Sequence, residues 1–158
     1  MKVISVFAMT SERLIGKNGV LPWHIPEDLK HFQNLTKGQI VVMGKNTYYS
    51  LPEKYRPLPH RRNIVLTRGV FSECESYASI EELIQTLKSE KIQEIYIMGG
   101  VQIYKAFFER GLTDRVECTL IEGNYSGDAY LPEWRENFIL KSEIEFEHGR
   151  FQTYIKNK

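Results

Sequence analysis

A chain of 158 residues in which 21 basic side chains nearly cancel 20 acidic ones has room for one core and lacks the basic face that nucleic-acid binding requires. Its two cysteines, Cys74 and Cys118, are far apart and show no metal spacing, so they read as packed thiols, and no apolar run reaches membrane-span length. The expectation is one cytoplasmic domain over residues 1–158 that binds a small molecule, with no nucleic acid, no membrane and no metal.

Along the chain, "VISVFAM" (3–9) reads as a strand, and the irregular "TSERLIGKNGVLPWH" (10–24) follows it. Residues 26–36 carry a helical pattern that starts with Pro26. With 100° per residue and Phe32 as the inward centre, Ile25, Leu29, Leu35 and Thr36 fall within about 60° of it, and so does Asp28. Glu27, one residue earlier, is explained by helix electrostatics alone. Asp28 is not, because an unpaired charge on the apolar side is costly.

"QIVVMG" (39–44) is a second strand and runs into a helix at 45–51; the irregular "PEKYRPLPHRR" (52–62) leads to a third strand, "NIVLT" (63–67). A helix at 79–89 opens with "SIEE", a capping box from Ser79 to Glu82. "EIYIMG" (94–99), a helix at 101–109 and "RVECTLIEG" (115–123) follow, then the loop "NYSGDAYLPEW" (124–134). From Asn137 the chain alternates through "FILKSEIEF", turns at "EHG" and ends in "RFQTYIKNK", a terminal hairpin. Strands alternating with helices imply an α/β fold with a mostly parallel sheet, helices on both faces and an antiparallel C-terminal edge.

Two strand-to-helix turns could receive an anion. "VVMGKNT" places Gly44 before a helix that opens with Lys45, Asn46 and Thr47, and "IMGGVQIY" places Gly99 and Gly100 in the same setting. Neither is a Walker A loop or GxGxxG, and each by itself could be an ordinary turn. With "LTR" (66–68) ending a neighbouring strand, Lys45 and Arg68 would form a cationic pair suited to a phosphomonoester, which favours NADPH over NADH.

These pieces together resemble the dihydrofolate reductases of the bacterial chromosomal type: "IG" (15–16), "LPWHIPEDLKHF" (21–32), "VVMGKNTYYS" (41–50), "RPLPHRRNIVLT" (56–67), "IYIMGGVQIY" (95–104) and "GDAYLPE" (127–133), in family order over nearly the whole chain. The resemblance implies a sheet of about eight strands, parallel except for the last. It also implies hydride transfer from NADPH to C6 of dihydrofolate with protonation at N5, yielding the tetrahydrofolate used in one-carbon metabolism.

Residue by residue, the resemblance makes Asp28 the active-site acid, supported by Thr119, with Trp23 and Leu21 as lid residues over the pocket. Leu29, Phe32, Leu51, Leu58 and Met98 would line that pocket, with Val6, Phe7 and Ala8 as its floor. Arg61 would grip the substrate's α-carboxylate, whereas Arg62 reads as a solvated charge. On the cofactor side it implies Lys45 and Arg68 at the 2′-phosphate, Asn46 and Thr47 at the pyrophosphate, and Leu66 and Thr67 at the adenosine. Ala8, Ile15, Gly16, Asn18, Gly19, Leu21, Gly44, Met98, Gly99, Gly100, Val101, Gln102, Ile103 and Tyr104 would complete the cofactor cleft. The Gly99-Gly100 bond would be cis. Residues 17–21 would be a mobile lid, with Asp128 on a facing loop stabilising its closed form.

The implied partners are dihydrofolate and antifolates such as methotrexate or trimethoprim-like compounds, bound to a monomer. There are departures from the family: Gln102 and Ala78 stand where many relatives carry basic residues, Val101 replaces a glycine, and residues 52–55 look like an insertion beside the substrate entrance. Two other readings stay open. A riboflavin-pathway reductase of the same fold would not need the Asp28, Phe32 and Arg61 set, and a catalytically silent nucleotide-binding module would need neither the pterin nor the glutamate contacts.

Overall fold

Branched and aromatic residues at alternating positions build the frame. The computed structural model describes residues 1–157. Its strands are β1 (Lys2–Met9), β2 (Leu14–Gly16), β3 (Ile40–Gly44), β4 (Arg62–Leu66), β5 (Glu75–Tyr77), β6 (Glu94–Ile97), β7 (Arg115–Ile121), β8 (Ala129–Tyr130), β9 (Phe138–Phe146) and β10 (Gly149–Lys156). The helices are α1 (Pro26–Thr36), α2 (Lys45–Ser50), α3 (Ile80–Ser89) and α4 (Val101–Glu109). Eight strands form one sheet in the order β5-β4-β3-β6-β1-β7-β10-β9, while β2 and β8 pair separately.

The strands from β5 to β7 run parallel, and β10 is antiparallel to both β7 and β9. The C-terminal hairpin therefore closes the sheet as expected, with its second strand placed inside and β9 at the edge. Gly149 fixes that register: a Cβ there would lie 1.9 Å from the Leu120 carbonyl oxygen.

Period-two alternation divides the core between the two faces. Val3, Phe7 and Met9 of β1 point to one face, where Leu83 and Leu87 of α3 and Tyr104 and Phe107 of α4 cover them. Ile4 and Val6 point to the other, with Tyr48 of α2 and the partly buried Phe32 and Leu35 of α1. Burying a side chain such as Phe107 or Leu83 contributes about 1.5–3 kcal/mol each. The N-cap half of the expected capping box forms at α3, the Ser79 hydroxyl accepting the Glu82 N–H at 3.1 Å.

Strands β2, β5 and β8 have no periodicity long enough to announce them in sequence. β5 exists because β4 offers it an edge, and β2 and β8 exist because they pair with each other. Among the described residues no helix is long and apolar enough to cross a membrane.

Candidate active site

The first turn of α1 separates its two acids. Glu27 points outward, with its carboxylate 3.8 Å from His148 Nε2 in the β9–β10 turn. Asp28 points to β7, and Thr119 Oγ1 donates to its Oδ1 at 2.6 Å. Thr119 is 3% exposed and stands opposite Ala8 of β1 in the parallel register. Burial raises the Asp28 carboxyl above its ordinary value, while the Thr119 hydrogen bond and the nearby His31 oppose that rise. The result is a half-buried acid with one oxygen engaged, on the side of the sheet that carries Val6 and Ala8.

Trp23 is buried with Ala8, Ile25 and Ile121, and its ring N–H has no acceptor among the described residues. Tyr125 meets its ring edge-on, with centroids 5.3 Å apart. The stretch between β2 and Trp23 is tethered to a facing loop: the Asn18 N–H donates to both Asp128 carboxylate oxygens at 3.2 and 3.3 Å, and the Asp128 N–H donates to the Gly16 carbonyl at 3.1 Å. Leu21 is 44% exposed, as is Leu29. Phe32, Leu51, Leu58 and Met98 pack together with Val6 in one cluster.

Phe7 does not join this wall. As the residue between Val6 and Ala8, it faces the opposite side and packs edge-on against Tyr104 with centroids 5.2 Å apart. Leu29 also differs from the helical-wheel expectation, standing exposed beside Asp28 while Phe32 and Leu35 pack inward.

At the C-terminal ends of the parallel strands, glycines allow close approach. Gly44 donates its N–H to the Gly99 carbonyl at 2.9 Å, and a Cβ on Gly44 would lie 3.3 Å from Ile103. The Gly99-Gly100 bond is cis, and Thr47 Oγ1 lies 3.4 Å from where a Cβ on either residue would stand. Tyr104 is buried beneath this turn and donates its hydroxyl to the Val6 carbonyl at 2.6 Å. β3 and β4 align Gly44 with Leu66, so Lys45 and Arg68 follow adjacent strand ends; both are exposed. Beside them a groove of about 750 Å³ is lined by Leu66, Thr67, Arg68, Gln102 and Ile103, together with Ala78 to Glu81 and the end of α4. Five residues expected at the cofactor thus share one groove.

Arg61, in the bend before β4, and Arg62, the first residue of β4, diverge. Arg61 lies over the Phe32 ring, 6.0 Å from its centroid, and donates to the Pro59 carbonyl and the Thr36 hydroxyl, each at 3.1 Å. Burial holds its guanidinium below its ordinary value. Arg62 is not the solvated charge expected. It grips Glu75 through Nε and NH2 at 2.8 Å and Glu90 at 3.1 Å, and these carboxylates hold it above its ordinary value. Residues 53–55 form a short 3-10 turn, and Arg56 secures the segment by donating to the Leu51 carbonyl at 3.0 Å.

A sequence profile described as dihydrofolate reductase matches residues 2–156. The chain belongs to the dihydrofolate reductase family. It is 37% identical over 135 residues to the dihydrofolate reductase of Bacillus subtilis, covering 84% of this chain and 76% of that protein. With the dihydrofolate reductase of Staphylococcus haemolyticus it shares 34% identity over 163 residues, covering 98% and 93% of the two chains. A solved structure of dihydrofolate reductase from Enterococcus faecalis, complexed with NADP(H) and RAB-propyl, superposes with a TM-score of 0.84 at 27% identity, covering 99% of this chain and 97% of that one. Membership makes this chain an NADPH-dependent oxidoreductase that reduces dihydrofolate.

Two residues near the site escaped sequence reasoning. His31 stacks on Phe151 at 4.1 Å and lies close enough to Asp28 to influence it; its i+3 spacing from Asp28 was a usable signal. Tyr125 had no such signal, because it reaches Trp23 from a loop distant in sequence.

Proposed function

We propose that this chain reduces 7,8-dihydrofolate to tetrahydrofolate at the site built on Asp28, with NADPH held along the strand ends from Gly44 to Gly99. The observation that carries this reading is the Thr119–Asp28 hydrogen bond. It commits one carboxylate oxygen and leaves the other to face a ligand, a suitable arrangement for the adjacent donors N3 and 2-amino of a pterin. When bound, the cofactor supplies the hydride. The groove lined by Leu66, Thr67, Arg68, Gln102 and Ile103, with the exposed Lys45 at the neighbouring strand end, suits the adenosine and phosphate of such a group.

The chain's own residues supply the rest. Asp28 orients the pterin and favours the N5-protonated form by its charge, the proton arriving through solvent. Trp23 offers its free indole N–H to an ordered water above the ring. Phe32, Leu51 and Leu58 hold the benzoyl portion, and Arg61, already oriented by Thr36 and Pro59, receives the α-carboxylate. Lys45 and Arg68 meet the 2′-phosphate. The segment from Asn18 to Leu21 closes over the reacting atoms and excludes water. Antifolates of the methotrexate and trimethoprim kind fit the same acid and apolar wall.

The test is to mix purified protein with NADPH and dihydrofolate and follow nicotinamide absorbance. A loss of absorbance blocked by methotrexate is expected. No such loss sinks the proposal.

A further inference from the structure

The segment between β7 and β8 touches the lid at two places, and only one is the polar tether at Asp128. The other is Tyr125. Its ring rests over Gly123, where a Cβ would come within 3.1 Å of Tyr125 Cε2 and where φ is +117°. From this seat it presents to Trp23 in an edge-to-face contact, with centroids 5.3 Å apart and planes inclined at 71°. Tyr125 is itself 39% exposed, so apolar burial alone gives a weak account of its placement. Trp23, in contrast, is 7% exposed and keeps an indole N–H that no described residue accepts.

An indole whose N–H must meet a ligand-bound water needs its ring plane fixed, because a modest rotation carries the N–H away from the reacting centre. The other members of its cluster, Ala8, Ile25 and Ile121, are small or aliphatic and constrain an aromatic plane weakly, and Phe146, packed against the same cluster, turns its ring to Phe151 and His148, so that among the described residues the ring that meets the indole is that of Tyr125. An edge-to-face partner prefers one relative orientation of the two rings.

We propose that Tyr125 is a positioning residue for hydride transfer. It sets the plane of Trp23, so that the β7–β8 segment holds the lid at Asn18 through Asp128 and at Trp23 through Tyr125. The inference rests on the proposed function, since it assigns Trp23 to the roof of the pterin subsite. It is the aromatic ring of Tyr125, not its hydroxyl, that does this.

The experiment uses the full chain labelled with 5-fluorotryptophan, whose two tryptophans, Trp23 and Trp134, give two fluorine resonances; Trp23→Phe assigns them. Tyr125→Ala is expected to slow single-turnover hydride transfer about tenfold. The KM values for NADPH and dihydrofolate should change by less than about twofold, because no ligand contact is removed. The Trp23 resonance should shift or broaden while the Trp134 resonance stays in place. Tyr125→Phe should restore both rate and resonance. An unchanged hydride-transfer rate in Tyr125→Ala overturns the inference, as does an unmoved Trp23 resonance. A shift of both resonances would indicate general loosening and also overturns it, and failure of Tyr125→Phe to rescue would assign the role to the hydroxyl instead. If the wild-type chain does not reduce dihydrofolate at all, the functional reading fails separately, and the resonance arm still decides whether Tyr125 holds Trp23.

Discussion

Thr119 donates its hydroxyl hydrogen to Asp28 Oδ1 at 2.6 Å, joining helix α1 to strand β7 across 91 residues of sequence. This bond opposes the effect of burial on the acid, which nevertheless sits above its ordinary pKa. Asp28→Asn keeps an acceptor for Thr119 but removes the charge. Turnover at neutral pH should fall at least about 10²-fold, with NADPH affinity unchanged in a fluorescence titration.

The same raised pKa has a consequence for stability. A carboxyl held above its unfolded value contributes stability that is fully present below the unfolded pKa and is lost as pH rises through the folded one. Asp28→Asn should therefore melt higher than wild type near neutral pH, with the difference vanishing in acid below the ordinary carboxylate range. Thermal melts at several pH values check this.

Thr119→Val removes the one hydrogen bond that lowers the acid's pKa. The pH below which dihydrofolate binding weakens should move upward, because the carboxylate form is the one that accepts from the pterin. A profile of KM against pH reads the shift directly, and a profile identical to wild type would contradict it.

Arg61 and Arg62 should separate function from stability. Arg61→Ala should raise the KM for dihydrofolate by at least about tenfold, the value of a lost charged hydrogen-bond pair, with little change in melting temperature. Arg62→Ala breaks the links to Glu75 and Glu90 and should cost about 1 kcal/mol of stability with KM unchanged. Steady-state kinetics and denaturant titrations of the two variants make the comparison.

Gly127 lies where an added Cβ would stand 2.4 Å from the Gly16 carbonyl oxygen and 2.8 Å from Leu14 Cδ1. Gly127→Ala must push β8 and its loop away from β2, loosening the Asn18–Asp128 tether without touching the main sheet. Turnover should fall several-fold while the global unfolding free energy changes by less than about 1 kcal/mol, as kinetics and urea denaturation will measure.

The main strands and the helices α1, α3 and α4 were legible from their periodicity, with Pro26 opening α1 and Ser79 capping α3, and the six-residue α2 from the glycine turn that ends the strand before it. The acid was legible for a related reason: Asp28 breaks an apolar stripe that Glu27 leaves intact. Phe7 shows the limit of motif reading. The family resemblance placed it with Val6 and Ala8, yet strand alternation turns its ring to the opposite face against Tyr104. Arg62 shows another, since nothing local to it announces Glu75 and Glu90.

By itself, then, the sequence determined the helix and strand periods, the glycine turns at strand ends and the presence of one misplaced acid, because these depend on dihedral preference and on side-chain spacing within a few residues. Only the tertiary structure decided what each of these features meets. Asp28 acquires its meaning from Thr119, the lid from Asp128 and Trp23 from Tyr125. Those partners are set by sheet order and register, which bring together groups that no local pattern connects.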